Sequence, residues 1–247
     1  MLKLSKLNIV ESRDALARIS EGKVLINTIN AHSFNVAQTD ELFSTALAKG
    51  DYLIPDGASI IKACKWLKAK SQPKERIAGW DLFAFEMQQL NEKGQMEKEK
   101  KSVMFMGSSE KVLGLIKQRA ALDYPNLKVI TYSPPYKPEF CDEDNAAIIT
   151  AINDADPDLL WIGMTAPKQE KWAYQHWKEL NIHCHVGTIG AVFDFYAGTA
   201  RRAPMWWQKH SLEWLYRLIK EPKRMWRRYI LGNPLFLWYI SKEIKLT

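Results

Sequence analysis

The chain has 247 residues, 47% of them hydrophobic and 26% charged, enough to build a packed core without covalent staples. Its three cysteines, Cys64, Cys141 and Cys184, are odd in number and form no CxxC pair, which argues against a disulfide scaffold and for a reducing compartment. No stretch has the h-region of a signal peptide or ~18 uninterrupted apolar residues, so a secreted or membrane-spanning chain is not expected.

Strand-like and helix-like runs alternate from the N-terminus. Strands are predicted at Val24–Thr28, Tyr52–Ile54, Val103–Met106, Leu127–Tyr132, Leu159–Met164 and His183–Gly187. Helices are predicted around Asp40–Lys49, Ser59–Ala69, Trp80–Glu92, Glu110–Leu122, Glu143–Asn153 and Gln169–Leu180. This order predicts an α/β fold, Rossmann-like, with a mostly parallel sheet and helices on both faces. After Gly198 the pattern changes to tryptophan-rich helix, which sets a boundary between an α/β region, 1–198, and a C-terminal helical appendage, 199–247.

The net charge of +7 is concentrated in that appendage. Residues 201–247 hold eleven Lys/Arg and three Asp/Glu, a net +8, leaving 24 against 25 and a net −1 for residues 1–200. The same segment holds Trp206, Trp207, Trp214, Trp226 and Trp238, half of the ten tryptophans. Cations interleaved with indole rings suit an anionic membrane surface, where charges meet headgroups and rings sit at the interface. The same composition also suits nucleic acid, or a helix pair that turns its aromatics into the core.

In parallel α/β sheets ligands bind beyond the carboxyl ends of the strands, which singles out the residues after each strand. Thr28 and Asn30 follow the first. Pro55-Asp56-Gly57 follows the second, where Asp56 could act as a general base; the tripeptide is also a common turn. Gly107-Ser108-Ser109 closes the third and opens a helix whose N–H groups could hold a phosphate, although Ser109 is equally a plain N-cap. After the fifth strand, Lys168 and Gln169 are expected to face the ligand edge, the amide toward sugar hydroxyls. The pairs Asp142/Asp144 and Asp154/Asp156 flank a helix and read as caps. His183 and His185 lack the accompanying ligands of a zinc site, so no metal is expected.

These motifs fall in a recognisable order. Thr28-Ile-Asn30-Ala31, Pro55-Asp56-Gly57, Arg76-Ile-Ala-Gly79-Trp-Asp81, Pro167-Lys168-Gln169-Glu170, Gly187-x-x-Gly190 and Phe193-Asp194-Phe-Tyr-Ala-Gly198 precede Arg202-Ala203-Pro204 and Leu212-Glu213-Trp214-Leu215-Tyr216-Arg217-Leu218. The chain resembles the WecG/TagA/CpsF glycosyltransferases, glycosyltransferase family 26, from about residue 8 to 235. Trp80 departs from the smaller residue usual after Gly79.

The resemblance implies an inverting, metal-independent transfer from a UDP-sugar, N-acetylmannosamine-type foremost, to a polyprenyl-diphosphate-linked sugar. It implies no cofactor beyond the UDP-sugar co-substrate, and a peripheral location on the cytoplasmic face of the plasma membrane. Residue by residue, it makes Asp56 the catalytic base and places Thr28 and Asn30 beside the sugars. It makes Arg76 and Gln169 substrate contacts. It brings Arg217, Arg224 and Arg227 of the appendage over the diphosphate; on one continuous helix their spacing would share a face, with Pro222 a candidate bend. A homo-oligomer is compatible with this reading; nucleic acid is not among the expected partners. The competing functions are a non-enzymatic nucleic-acid-binding module built on the basic tail, and a nucleotide-sugar hydrolase or epimerase.

Overall fold

The computed structural model describes residues 1–201, 203, 204, 206, 207 and 212–245. Its centre is one six-stranded sheet in the order β2-β1-β6-β5-β3-β4. The strands are β1 (Val24–Ile29), β2 (Tyr52–Pro55), β3 (Lys101–Gly107), β4 (Leu127–Tyr132), β5 (Leu159–Gly163) and β6 (His185–Thr188). Every pairing is parallel, so the expected "mostly parallel" sheet is parallel throughout.

Helices link the strands: α1 (Ala31–Ala37), α2 (Glu41–Lys49), α3 (Ala58–Trp66), α4 (Gly79–Glu97), α5 (Glu110–Asp123), α6 (Asp142–Ala155), α7 (Lys168–Gln175) and α8 (Gly190–Ala197). Neither α1 nor α8 is expected from the sequence. Both are short and follow a strand directly, so they show too few turns to display a 3.6-residue period. The helix expected at Gln169–Leu180 is shorter at its C-terminus, since α7 stops at Gln175.

Burial on both faces follows from strand alternation. In β3, Val103 and Phe105 join one apolar cluster and Met104 and Met106 another; in β5, Leu159 and Trp161 part from Leu160 and Ile162 in the same way. The first face is covered by α4, α5 and α8 through Phe83, Leu113, Ile116, Phe193 and Tyr196. The second is covered by α6 and α7 through Ile148, Ile152 and Trp172, and by α1 to α3 through Phe34, Phe43 and Ile60.

The C-terminal segment continues as α9 (Glu213–Lys220), α10 (Pro222–Trp226), a π-helical stretch at Arg227–Leu231 and α11 (Gly232–Lys245). The packing of α11 crosses the boundary drawn at Gly198. Phe236 and Ile240 are buried among Leu4, Phe34 and Leu53, and Phe236 meets Phe34 edge to face at 5.4 Å. The Glu243 carboxylate accepts from the Leu4 N–H at 3.0 Å and the Ser5 N–H at 2.9 Å, which caps the first 3-10 turn of the chain. Asn35 Nδ2 donates to the Gly232 carbonyl at 2.7 Å, fixing the start of α11 on α1. Among the described residues no helix is long and apolar enough to cross a membrane.

Candidate active site

Parallel strands bring their carboxyl ends to one edge, and there the chain assembles its polar constellation. Asn30 caps α1: its Oδ1 accepts from the His32 and Ser33 N–H groups at 3.0 Å each, and Ser33 Oγ accepts from the Asn30 N–H at 2.8 Å. The next strand end is tied to it, because the Asp56 N–H donates to the Ile29 carbonyl at 2.9 Å. Thr28 pairs in register with Ile54 and is half-buried beneath this junction. Desolvation by the surrounding chain lowers the pKa of the exposed His32 to about 4, with Arg228 adding to the effect, so the imidazole beside Asn30 is neutral at pH 7.

Asp56 sits where the sequence places it, at the end of β2 and partly open to solvent. Arg76, in the loop before α4, approaches its Oδ1 with Nη2 at 3.0 Å and Nε at 3.3 Å. The same Nη2 lies 3.0 Å from Glu213 Oε2 on α9. The other Glu213 oxygen accepts from Arg217 Nη2 at 2.8 Å. A line of alternating charge therefore runs Asp56–Arg76–Glu213–Arg217, from the strand edge into the C-terminal segment. Burial by itself would lower the Arg76 pKa; the carboxylates of Asp56 and Glu213 outweigh it and raise the value, so the guanidinium stays charged. Glu213 was legible as part of the LEWLYRL block and as an i,i+4 partner of Arg217, but nothing in the sequence points it at Arg76.

The other expected arginines are arranged differently from a single helical face. The chain breaks at Glu221, with φ −133°, and restarts at Pro222, which has no N–H to continue α9. Arg217, Arg224 and Arg227 thus belong to successive segments. The Arg224 side chain lies outside the described residues. Arg227 opens the π-helical stretch, exposed, with its guanidinium 5.4 Å from the Trp226 ring centroid. Such π-helical stretches recur at functional sites.

Two expected ligand contacts are engaged elsewhere. Gln169 is buried; its Oε1 accepts from the Gly190 N–H at 3.1 Å and its Nε2 donates to Glu170 Oε1 at 2.8 Å, so its amide joins α7 to α8 and does not project into solvent. The fit is close: a Cβ on Gly190 would stand 2.1 Å from the Met164 carbonyl oxygen. Lys168 Nζ donates to the Lys137 carbonyl at 2.6 Å and lies 3.4 Å from the Phe140 ring centroid, on the loop that follows β4. Its pKa is lowered by burial, against the pull of Asp144.

Glu170 closes the Pro167-Lys168-Gln169-Glu170 motif. Its carboxyl is buried, and Oε2 has no hydrogen-bond partner. Burial pushes its pKa up to about 7 against the opposing bonds from Gln169 and its own backbone. At the third strand end Gly107 has φ +119°, and a Cβ there would stand 2.4 Å from the Gly163 carbonyl oxygen, so only glycine fits. Ser109 Oγ accepts from the Val112 N–H at 3.4 Å, the N-cap geometry expected of it.

The aspartate pairs behave as caps. Asp144 accepts from the Cys141 N–H at the start of α6 and pairs with Lys137 at 2.7 Å. Asp156 closes the helix in a left-handed conformation. His185 is held between Glu86 and the Ser20 carbonyl, each at 3.0 Å. Among the described residues no group of three or more His, Cys, Asp or Glu side chains is disposed to hold a metal ion.

The comparisons with known proteins agree on one family. The model of the glycosyl transferase WecG/TagA/CpsF family matches residues 2–247. A relative from Bacillus subtilis (strain 168), an N-acetylglucosaminyldiphosphoundecaprenol N-acetyl-beta-D-mannosaminyltransferase, is 28% identical over 221 residues, covering 90% of this chain and 80% of its own. A protein of the same name from Staphylococcus aureus (strain MW2) is 27% identical over 240 residues, covering 96% of this chain and 87% of its own.

Proposed function

The chain belongs to the WecG/TagA/CpsF glycosyl transferase family, and from that membership and the geometry of the strand edge we propose that it transfers an N-acetylmannosamine-type sugar from UDP to a sugar carried on a polyprenyl diphosphate. The names of the relatives support the acceptor class and the sugar. The observation that carries the chemistry is the Asp56 carboxylate at the end of β2, half-open and anchored by Arg76 through one oxygen.

In this reading Asp56 takes the proton of the acceptor hydroxyl as its oxygen attacks the anomeric carbon. The bond from that carbon to the UDP oxygen breaks on the opposite side, so the product is inverted. Negative charge then builds on the departing diphosphate. Guanidinium groups suit that task because each offers a fork of donors, and Arg217, Arg224 and Arg227 supply them from the C-terminal segment without a metal. In the same reading Asn30 and Thr28, at the neighbouring strand end, orient sugar hydroxyls. The basic tail carries the enzyme to the membrane face where a lipid-linked acceptor resides. Nothing in the Asp56–Arg76–Glu213–Arg217 line serves a nucleic-acid-binding module.

The test is Asp56→Asn, which keeps shape and removes the base. Transfer is expected to fall by about 10²-fold or more, with thermal melting near wild type, since general-base terms contribute about 10²–10⁴-fold. UDP release with a soluble lipid-diphosphate-sugar analogue, with product mass, measures it. Turnover above a tenth of wild type would remove Asp56 from this role.

A further inference from the structure

Arg76 Nη2 stands 3.0 Å from Asp56 Oδ1 and 3.0 Å from Glu213 Oε2, so one guanidinium nitrogen serves two carboxylates from distant parts of the chain. Glu213 is the more buried of the two carboxylates, and its other oxygen holds Arg217 at 2.8 Å. We propose that Glu213 is the positioning residue that sets Asp56 as a base: it draws the Arg76 charge away from Asp56 and makes that setting depend on the docked C-terminal segment. This rests on Asp56 being the base.

The physical argument is a competition for one cation. A carboxylate that owns an arginine alone is a weak base, because proton uptake must break a charge-assisted pair. A second carboxylate on the same nitrogen lowers the net positive potential at Asp56. Arg13 donates to the Arg76 carbonyl at 3.5 Å and is itself paired with Glu75 at 2.8 Å and Asp81 at 3.5 Å. Arg217 faces Glu213 from the same helix and offsets part of its charge. With α9 undocked, Arg76 would belong to Asp56, and the acceptor hydroxyl would meet a weaker base. The arrangement therefore links proton abstraction to the segment proposed to engage the diphosphate.

The experiment is the pH dependence of transfer to a water-soluble acceptor by wild type, Glu213→Gln and Asp56→Asn. Removing the Glu213 charge is expected to lower kcat about two- to threefold for each half unit by which Asp56 loses basicity, as general-base catalysis follows the strength of the base. It should also move the acidic limb of the profile to lower pH by about half a unit or more, because Asp56 then sees more of Arg76. A wild-type kcat and limb, or a lowered kcat with the limb unmoved, overturns the proposal; the second result would make Glu213 a structural contact only. Should Glu213→Gln lose its fold, Glu213→Asp withdraws the charge by one methylene: a smaller downward shift supports the idea and an unmoved limb overturns it. An active Asp56→Asn removes the base assignment and this inference with it. An inactive Asp56→Asn beside a wild-type Glu213→Gln removes this inference alone.

Discussion

Glu170 shows how one residue can be visible in a motif and silent about its purpose. Its neighbours Pro167 to Gln169 suggested a surface that meets ligand, yet the carboxyl is buried with one oxygen unpartnered, and burial raises its pKa to about 7. The sequence could not show this, because burial depends on how α7 meets α8 through Gln169 and Gly190. The sign of the consequence is definite. An unfolded glutamate titrates near 4.5 and the folded one near 7, so between these values the folded state keeps a proton that the unfolded state has lost. Stability from this group is present below the lower value and is lost as pH rises through the upper one. Glu170→Gln should therefore remove about 1–3 kcal/mol of the stability difference between pH 5 and pH 8. Urea unfolding of both proteins at the two pH values measures it. The same pH difference in both would mean that Glu170 is ionised throughout.

At the scale of elements, the sheet was readable and its last partner was not. All six strands fall within about two residues of their expected ends, because buried parallel strands are continuous apolar runs bounded by turns. The strand-end residues Thr28, Asn30, Asp56 and Gly107 follow from that alone, through the rule that parallel strands end together. The C-terminal helices carry a mixed signal: α11 alternates Phe236, Ile240 and Glu243 on its packed side with Leu235, Trp238 and Lys242 on its open side. Apolar residues on both sides hide which one the core takes. The structure assigns Phe236 to the core against Phe34, beside the Glu243 cap on Leu4 and Ser5. Phe236→Ala should cost about 3–5 kcal/mol, the usual range for a buried phenylalanine. A Trp238→Ala control, on the open side of the same helix, should stay within about 0.5 kcal/mol. Thermal or urea unfolding decides between them; equal losses would mean that α11 does not dock through Phe236. By the same packing, removal of residues 199–247 would uncover Leu4, Phe34 and Leu53 as well as discarding the cations.

On the scale of the whole molecule, charge and apolar surface are both polarised toward the same segment. Residues 201–247 carry +8 and the rest −1. The segment also leaves Trp206, Trp214, Trp226, Ile230, Leu231, Leu235, Leu237 and Trp238 exposed, more large apolar side chains than a solvated surface needs. Lys242 Nζ lies 3.7 Å from the Trp238 ring centroid, so cation and indole already stand together on the open side of α11. A membrane face satisfies both features at once, the indoles at the interface and the cations at anionic headgroups. Each cation near such a surface contributes roughly 1 kcal/mol, and the attraction is screened as the Debye length falls from about 10 Å at 0.1 M salt to about 3 Å at 1 M. The protein should therefore bind vesicles containing an anionic lipid at low salt and lose about tenfold or more of that affinity at 1 M salt. Trp226→Ala and Trp238→Ala should weaken binding at both salt concentrations while leaving the ratio between them close to wild type, since indole insertion is not screened. Sedimentation with vesicles of anionic and of purely zwitterionic lipid separates the two contributions. Equal binding to both vesicle types would remove the electrostatic half of the argument, and tight salt-sensitive binding to duplex DNA without vesicle binding would move the tail to a different partner altogether.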